Sequence, residues 1–267
     1  MNPIATEVTE NTEMKQVAVN IQEFFSVNSV FSVASWFSPI KRLLLLLFLL
    51  ASGIANAAPQ KVTAVYEATR EGKPFATVTE TYRQEGDHYR IESVTAGVGV
   101  YALFGKRKLT SEGEVTADGL KPQRFELQQG DNPKKKVVAE FDWSTGKLAM
   151  TAKNKTTTAD LEPGTQDLAS FAYQFMFRAP QGEEIILPVT TGKKLRSYHY
   201  LVSGRGETLE GVLGGLKTVR LANVQEQGSD EKELWLATEK HHIPARIVLR
   251  DENGVKTEQV LTSLSFE

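Results

Sequence analysis

The residue types able to do chemistry are few and scattered. The chain has four histidines and no cysteine, so thiol catalysis and Cys-ligated metals are excluded. His241 and His242 are adjacent. On a strand, adjacent side chains point to opposite faces, which places the pair poorly for sharing one ion. His88 and His199 fall on separate expected strands, and no HExxH or comparable spacing occurs. The reading is no metal site and no cofactor. A hydrolase needs a nucleophile, a base and an oxyanion hole. There is no G-x-S-x-G elbow, and Ser170 stands three residues after Asp167, ordinary polarity for a helix start. Asp160, Glu162 and Asp167 are suited to acid and base work on a glycan. They are equally suited to bracketing a loop and favouring a helix N-terminus. The expectation is a protein that is not an enzyme, with no catalytic residue assigned.

Two other features suit binding. Lys134-Lys135-Lys136 and Lys106-Arg107-Lys108 can meet an anionic surface, such as lipid A, phospholipid heads or acidic polysaccharide. They can equally be solvated turns that protect a strand edge. Gly97 through Gly105 is an uncharged, glycine-spaced apolar loop, suited to a lid over an apolar cavity or to a buried connection. Tyr101 and Phe104 from this loop are candidate ligand contacts, with Phe171, Phe175 and Met176 from a helix described below.

These residues need a scaffold, and its first constraint is export. Lys41-Arg42 precedes an unbroken apolar run from Leu43 to Leu50, and Ala55-Asn56-Ala57 follows. A basic pair, a short apolar core and a small-x-small exit are the parts of a secretory signal. Cleavage is expected between Ala57 and Ala58. The apolar stretch ends at Ile54, short of the roughly 20 residues that span a bilayer, so no transmembrane anchor is expected. The 40 residues ahead of it are long for a signal; a start at a non-AUG codon, Val30 or Val33, would give ordinary length. Residues 1–57 are thus read as extension plus cleavable signal, and 58–267 as a single β-rich domain of the bacterial periplasm. No cysteine follows the signal, so no lipid anchor on an N-terminal Cys is expected. The formal net charge of −2 gives no electrostatic reason to expect nucleic acid.

From Lys61 onward the chain alternates apolar and polar residues in short runs divided by turns, the mark of half-buried strands. Val62, Ala64, Tyr66 and Ala68 share one face; Val137, Ala139, Phe141 and Trp143 share another. Turns fall at Glu71-Gly72-Lys73-Pro74, Gln84-Glu85-Gly86-Asp87, Ala117-Asp118-Gly119-Leu120 and Ser144-Thr145-Gly146. Tight turns favour an antiparallel meander. Leu168, Phe171, Ala172, Phe175 and Met176 fall at helical spacing. This predicts one helix, capped at Thr165 or Asp167 and stopped by Pro180, packed against the sheet. Strands then resume from Glu184 to Phe266. Pro188 marks its strand as an edge or a bulge.

Several phrases together carry a resemblance. Gly119-Leu120-Lys121-Pro122 follows Ser111-Glu112-Gly113. Phe141-Asp142-Trp143 leads into a turn. Gly164-Thr165-Gln166-Asp167, then Ser170, opens the expected helix, and Trp235-Leu236-Ala237 precedes Ile243-Pro244-Ala245-Arg246-Ile247. In order and spacing these resemble the bacterial exported family called domain of unknown function 3108, over most of 62–267. The resemblance implies a periplasmic, mostly antiparallel β protein and no catalytic residues. Its architecture is akin to the curved sheets that carry lipoproteins between membranes, a likeness of fold alone. The motif residues have structural jobs: Gly119 and Pro122 shape a turn, Trp143 and Trp235 suit the core, and Asp167 can cap the helix and pair with Arg246 or another base.

The expected fold is mainly β: a large curved antiparallel sheet or incomplete barrel with one helix packed on its concave side. The expected function is noncatalytic binding of a lipid or other apolar envelope molecule, or of an envelope protein. The alternatives are an assembly factor that contacts a protein by its sheet edge, and a hydrolase of envelope glycans.

Overall fold

The structure is a computed structural model that describes residues 58–132, 135–224 and 231–267. The expected signal and its exit to Ala57, the extension before it, Lys134, and positions 225–230 within the expected run of strands lie outside the described residues. The strands are β1 (Lys61–Arg70), β2 (Lys73–Glu85), β3 (His88–Gly97), β4 (Arg107–Thr116), β5 (Gly119–Gln129), β6 (Val137–Asp142), β7 (Lys147–Ala152) and β8 (Lys155–Asp160). After an irregular segment come β9 (Gln166–Asp167), β10 (Glu184–Thr190), β11 (Leu195–Leu209), β12 (Leu216–Asn223), β13 (Glu231–Ala237), β14 (Ile243–Arg250) and β15 (Lys256–Phe266).

All fifteen belong to one sheet, ordered β8-β7-β6-β5-β4-β3-β2-β1-β15-β14-β13-β12-β11-β10-β9. The chain meanders outward from β1 to one edge, crosses to the other edge, and meanders back until β15 pairs with β1. Every pairing is antiparallel except the two-residue match of β9 to β10. The sheet is open, yet it wraps: β8 and β9 form opposite edges although only residues 161–165 separate them in the chain. Across the wrap, the hydroxyl of Thr190, the last residue of β10, donates to Met150 Sδ of β7 at 3.3 Å. Pro188 sits where β10 has no outer neighbour, since β9 covers only Val189 and Thr190, so its missing N–H is tolerated there.

Period-two alternation puts the apolar face inside. Tyr82, Ile91, Phe125, Ala139 and Leu148 form one buried cluster with Tyr173. Tyr200, Leu221, Leu234 and Leu236 form a second with Phe175. Burial of this kind stabilises by about 25 cal/mol per Å² of apolar surface. The outer face carries ion-pair ladders: Arg124 bridges Glu126 and Glu140, each at 2.6 Å, and Lys108 meets Glu92 at 2.9 Å.

The helix expected to start at Thr165 or Asp167 does not form. Residues 168–178 are a chain of turns with one 3-10 stretch, Tyr173–Met176. Both sides of the segment are engaged: Ala169, Ser170, Ala172, Tyr173, Gln174 and Phe175 are buried, Leu168, Phe171 and Met176 are half-buried, and the segment packs against both core clusters. Its polar groups bond to strands and to one another in place of a continuous helical ladder. Trp235 departs from expectation too. It lies on the outer face between buried Leu234 and Leu236, stacked between the Arg220 and Arg246 guanidinium groups at 5.2 and 4.7 Å. Trp143 does pack against the core, and its indole N–H donates to the Pro122 carbonyl at 2.6 Å.

Candidate functional site

The interior segment is held by its own polar groups. Asp167, fully buried, accepts from the backbone N–H of Ala169 (2.8 Å) and Ser170 (2.9 Å) through Oδ1 and from the Ser111 hydroxyl (2.6 Å) through Oδ2. Its own N–H donates to Ser170 Oγ at 2.9 Å. The Tyr89 and Ser111 hydroxyls are 3.0 Å apart. Burial pushes the Asp167 carboxyl up to about 6 against those donors, which act to lower it. No arginine takes part; Arg246 instead pairs with Glu258 at 2.5 Å, so the expected Asp167–Arg246 pair does not form. Gln174 accepts from the Leu120 N–H at 2.6 Å and donates to the Asp118 carbonyl at 3.0 Å. Gly119, at φ +93, makes room: a Cβ there would stand 2.5 Å from the Gln174 side chain. The signature residues of this region therefore build the fold.

The three carboxylates considered for glycan chemistry do not share a cleft. Asp160 is exposed and paired with Lys147 at 2.6 Å, Glu162 is exposed, and Asp167 is enclosed. The histidines are equally dispersed. His199 meets Glu184 at 2.9 Å, His88 lies beside Asp87, and His241 packs edge-on against Phe266. Among the described residues no three His, Cys, Asp or Glu side chains gather as a metal site. No helix among them is long and apolar enough to cross a membrane.

A second carboxyl withdrawn from water, the half-buried Glu80 of β2, accepts from the Ser93 hydroxyl at 3.1 Å. Burial raises its pKa, and its charge in turn pushes the Tyr66 and Tyr173 hydroxyls further up. The Tyr66 hydroxyl is buried without a hydrogen-bond partner, and the Tyr173 hydroxyl faces the Glu80 carboxyl.

The best-formed binding geometry is at one end of the wrapped sheet. There the β3–β4, β5–β6, β7–β8 and β10–β11 connections lie together. A pocket of ≈ 720 Å³ opens between them. Its floor is apolar: Leu127, Val137, Met150 and Ala152 from the inner face of β5, β6 and β7. Its rim is cationic: Arg107, Lys135, Lys136, Lys153, Lys155 and Lys193, with no carboxylate among the lining residues. Among the described residues, only Lys136 of these six has an acidic partner, Glu126 at 2.8 Å. Arg107 is partly withdrawn from water, which lowers its pKa. Lys153 and Asn154 both have positive φ, 51° and 63°, in the two-residue turn that closes the β7–β8 hairpin. Lys193 arrives from across the wrap. Its neighbour Gly192 lies so close to Val137 that a Cβ would stand 2.6 Å from it. By contrast, a cleft of ≈ 340 Å³ is lined by Arg83 and Arg90 together with Glu85 and Glu112, so its cations stand beside carboxylates, and Arg90 is ion-paired with Glu112.

The structure thus brings together parts of the two basic runs, Arg107 with Lys135 and Lys136, in one lining. The sequence reading missed Lys153 and Lys155, which flank the β7–β8 turn, and Lys193 in the β10–β11 turn. Tyr101 and Phe104 lie on an exposed 3-10 segment, Gly99–Phe104, with no buried residue. Phe104 is linked to the pocket, since its carbonyl accepts from Gln129 Nε2 at 3.3 Å and Gln129 lines the pocket. The other three candidates fill the interior: Phe175 is buried, Phe171 packs with it, and Met176 packs against the larger cluster. None of the three lines this pocket.

Residues 64–260 match the model of a family described as protein of unknown function (DUF3108). No curated protein matches the chain.

Proposed function

We propose, for a chain that belongs to the DUF3108 family and takes no activity from it, a noncatalytic role: binding an anionic amphiphile of the bacterial envelope after export to the periplasm. The observation that carries this reading is the pairing of an apolar floor with a rim of six cations and no carboxylate. An acyl chain would bury apolar surface on Leu127, Val137 and Met150. A phosphate or carboxylate head would meet Arg107 and the turn lysines, whose charges have little internal compensation. Ligand sites of this size commonly combine apolar walls with a few convergent polar groups.

The test is titration of the protein with a fluorescent long-chain fatty acid and with its methyl ester. Saturable binding of the acid, at least tenfold weaker binding of the ester, and a like loss in Lys153→Glu/Lys155→Glu are expected. Equal binding of acid and ester would overturn the reading. Lipid extraction and native mass spectrometry of protein recovered from an exporting bacterium would then identify the cargo class.

A second reading, contact with an envelope protein by strand addition, rests on β8. It ends the sheet, and Thr156, Thr157 and Thr158 are exposed, leaving a polar backbone edge that an extended segment can join. A photocrosslinker at Thr158 that captures one partner in cells would favour it.

A further inference from the structure

We propose that the β3–β4 connection is a membrane-docking tip that enters an anionic lipid surface. The segment Val98–Phe104 leaves its apolar side chains in solvent: Leu103 is 87 % exposed, Val100 72 % and Phe104 71 %. Isolated exposed apolar residues are ordinary, but several together on one projecting element mark an interaction site.

The tip is held in shape. Gly97 lets the Tyr101 carbonyl pack where a Cβ would stand 2.3 Å from it. The Val98 N–H donates to the Phe75 carbonyl at 2.9 Å, and the Tyr101 ring meets Phe75 edge-on at 5.8 Å. The apolar residues are therefore presented outward and do not fold back onto the sheet.

Charge selects the occupant. Between Ser93 and Glu112 the chain has no carboxylate, and Lys106, Arg107 and Lys108 directly follow the tip. Lys106 is exposed. Lys135, Lys153, Lys155 and Lys193 project from the β5–β6, β7–β8 and β10–β11 connections at the same end; the exposed carboxylates Asp131, Glu71 and Glu252 stand on the β5–β6 connection and on the β1–β2 and β14–β15 turns. An apolar wedge flanked by cations on its β4–β8 side matches a bilayer with anionic phosphate heads: the wedge enters the acyl boundary while the cations meet the phosphates. A protein partner with an apolar pocket would not require these flanking cations. The docking stands on the exposure of the tip and is independent of what the pocket binds.

The chain has no cysteine, so Leu103→Cys creates a unique site for an environment-sensitive fluorophore in the full chain. The reference is Ser144→Cys, an exposed position in the β6–β7 turn at the opposite end. With phosphatidylglycerol vesicles, the probe at 103 is expected to shift to the blue and to be quenched by acyl-chain bromines. The probe at 144 is expected to stay unchanged. Phosphatidylcholine vesicles should give at least a tenfold smaller response, and raising salt should weaken the anionic one. With the probe moved to Val100→Cys, Phe104→Asp should abolish the shift; Phe104 is exposed, so this variant should fold normally. No quenching at 103, equal quenching at 103 and 144, or equal responses on the two lipids would each overturn the proposal.

Discussion

The Ser111 hydroxyl donates to Asp167 Oδ2 at 2.6 Å, joining β4 to an interior segment 56 residues further on. The bond is wholly buried. It ties the turns that fill the sheet to the wall around them, and through the Tyr89 hydroxyl it extends to β3. Ser170 completes the knot from the other side. Four groups that individually look like catalytic candidates thus spend their hydrogen bonds on one another.

This knot makes stability depend on pH. The Asp167 carboxyl is raised from 3.8 to about 6 by burial, so the folded state holds a proton that the unfolded state has released between those values. The stabilisation is fully present below about pH 4 and is lost as pH rises through about 6, by up to about 3 kcal/mol. Glu80, raised by burial as well, acts in the same direction. Asp167→Asn keeps an acceptor for the two backbone N–H groups and removes the titration. Chemical denaturation from pH 4 to 8 should show a shallower fall in stability for Asp167→Asn than for the wild type. An unchanged slope would mean that Asp167 is not the titrating group.

The contact between Gly119 and Gln174 supports a sharper prediction. Gly119→Ala introduces a Cβ at positive φ and 2.5 Å from the Gln174 amide, and it should destabilise by about 1–3 kcal/mol. Gln174→Leu leaves the buried Leu120 N–H without its acceptor, costing about 1–3 kcal/mol. Because both changes act on one contact, the double variant should cost clearly less than the sum. Urea midpoints of the three variants test this; strict additivity would refute the coupling.

The fold was legible where alternation was strong. Val62 through Ala68 and Val137 through Asp142 read as strands and are strands, because one face of each is buried and the other is not; Trp143 falls in the turn that follows. β8 went unread. Lys155-Thr156-Thr157-Thr158 has no apolar alternation, since this edge strand is exposed on both faces. The interior segment misled for the opposite reason. Leu168, Phe171, Ala172, Phe175 and Met176 repeat at helical spacing, but Ser170, Tyr173 and Gln174 between them are buried as well. Asp167, Ser170 and Gln174 spend their hydrogen bonds on strands and on one another in place of a continuous helical ladder, which the apolar spacing alone does not reveal. Two basic runs of the pocket were visible as runs. Lys193 joins them only because the β10–β11 turn folds over β6, a contact with no local signature.

For the pocket, the prediction is graded. Each of Lys153→Gln, Lys155→Gln and Lys193→Gln should weaken binding of an anionic amphiphile severalfold and reduce its salt dependence. These side chains are exposed, so thermal stability should hardly change. Met150→Lys, which puts a charge on the buried floor, should abolish binding, with a large loss of stability as well. Isothermal titration at two salt concentrations tests the rim. Equal affinities across the three lysine variants and the wild type would show that the rim does not recognise charge.

Trp235 offers a test on the outer face. Its ring is stacked between Arg220 and Arg246, which are held by Glu233 and Glu258 in turn. The Nε atoms of both arginines are buried and lack a hydrogen-bond partner, so the indole faces are what they meet in place of water. Cation–π contacts of this kind contribute about 0.5–1 kcal/mol each when exposed and more when water is excluded. Trp235→Ala should therefore cost about 1–3 kcal/mol, while Trp235→Phe, which keeps a weaker ring, should cost less. In a double-mutant cycle with Arg246→Met, the pair should show a coupling of about 0.5–1 kcal/mol. A cycle that closes at zero would assign the loss to strand packing alone, and the arginine sandwich would then be geometry without energetic consequence.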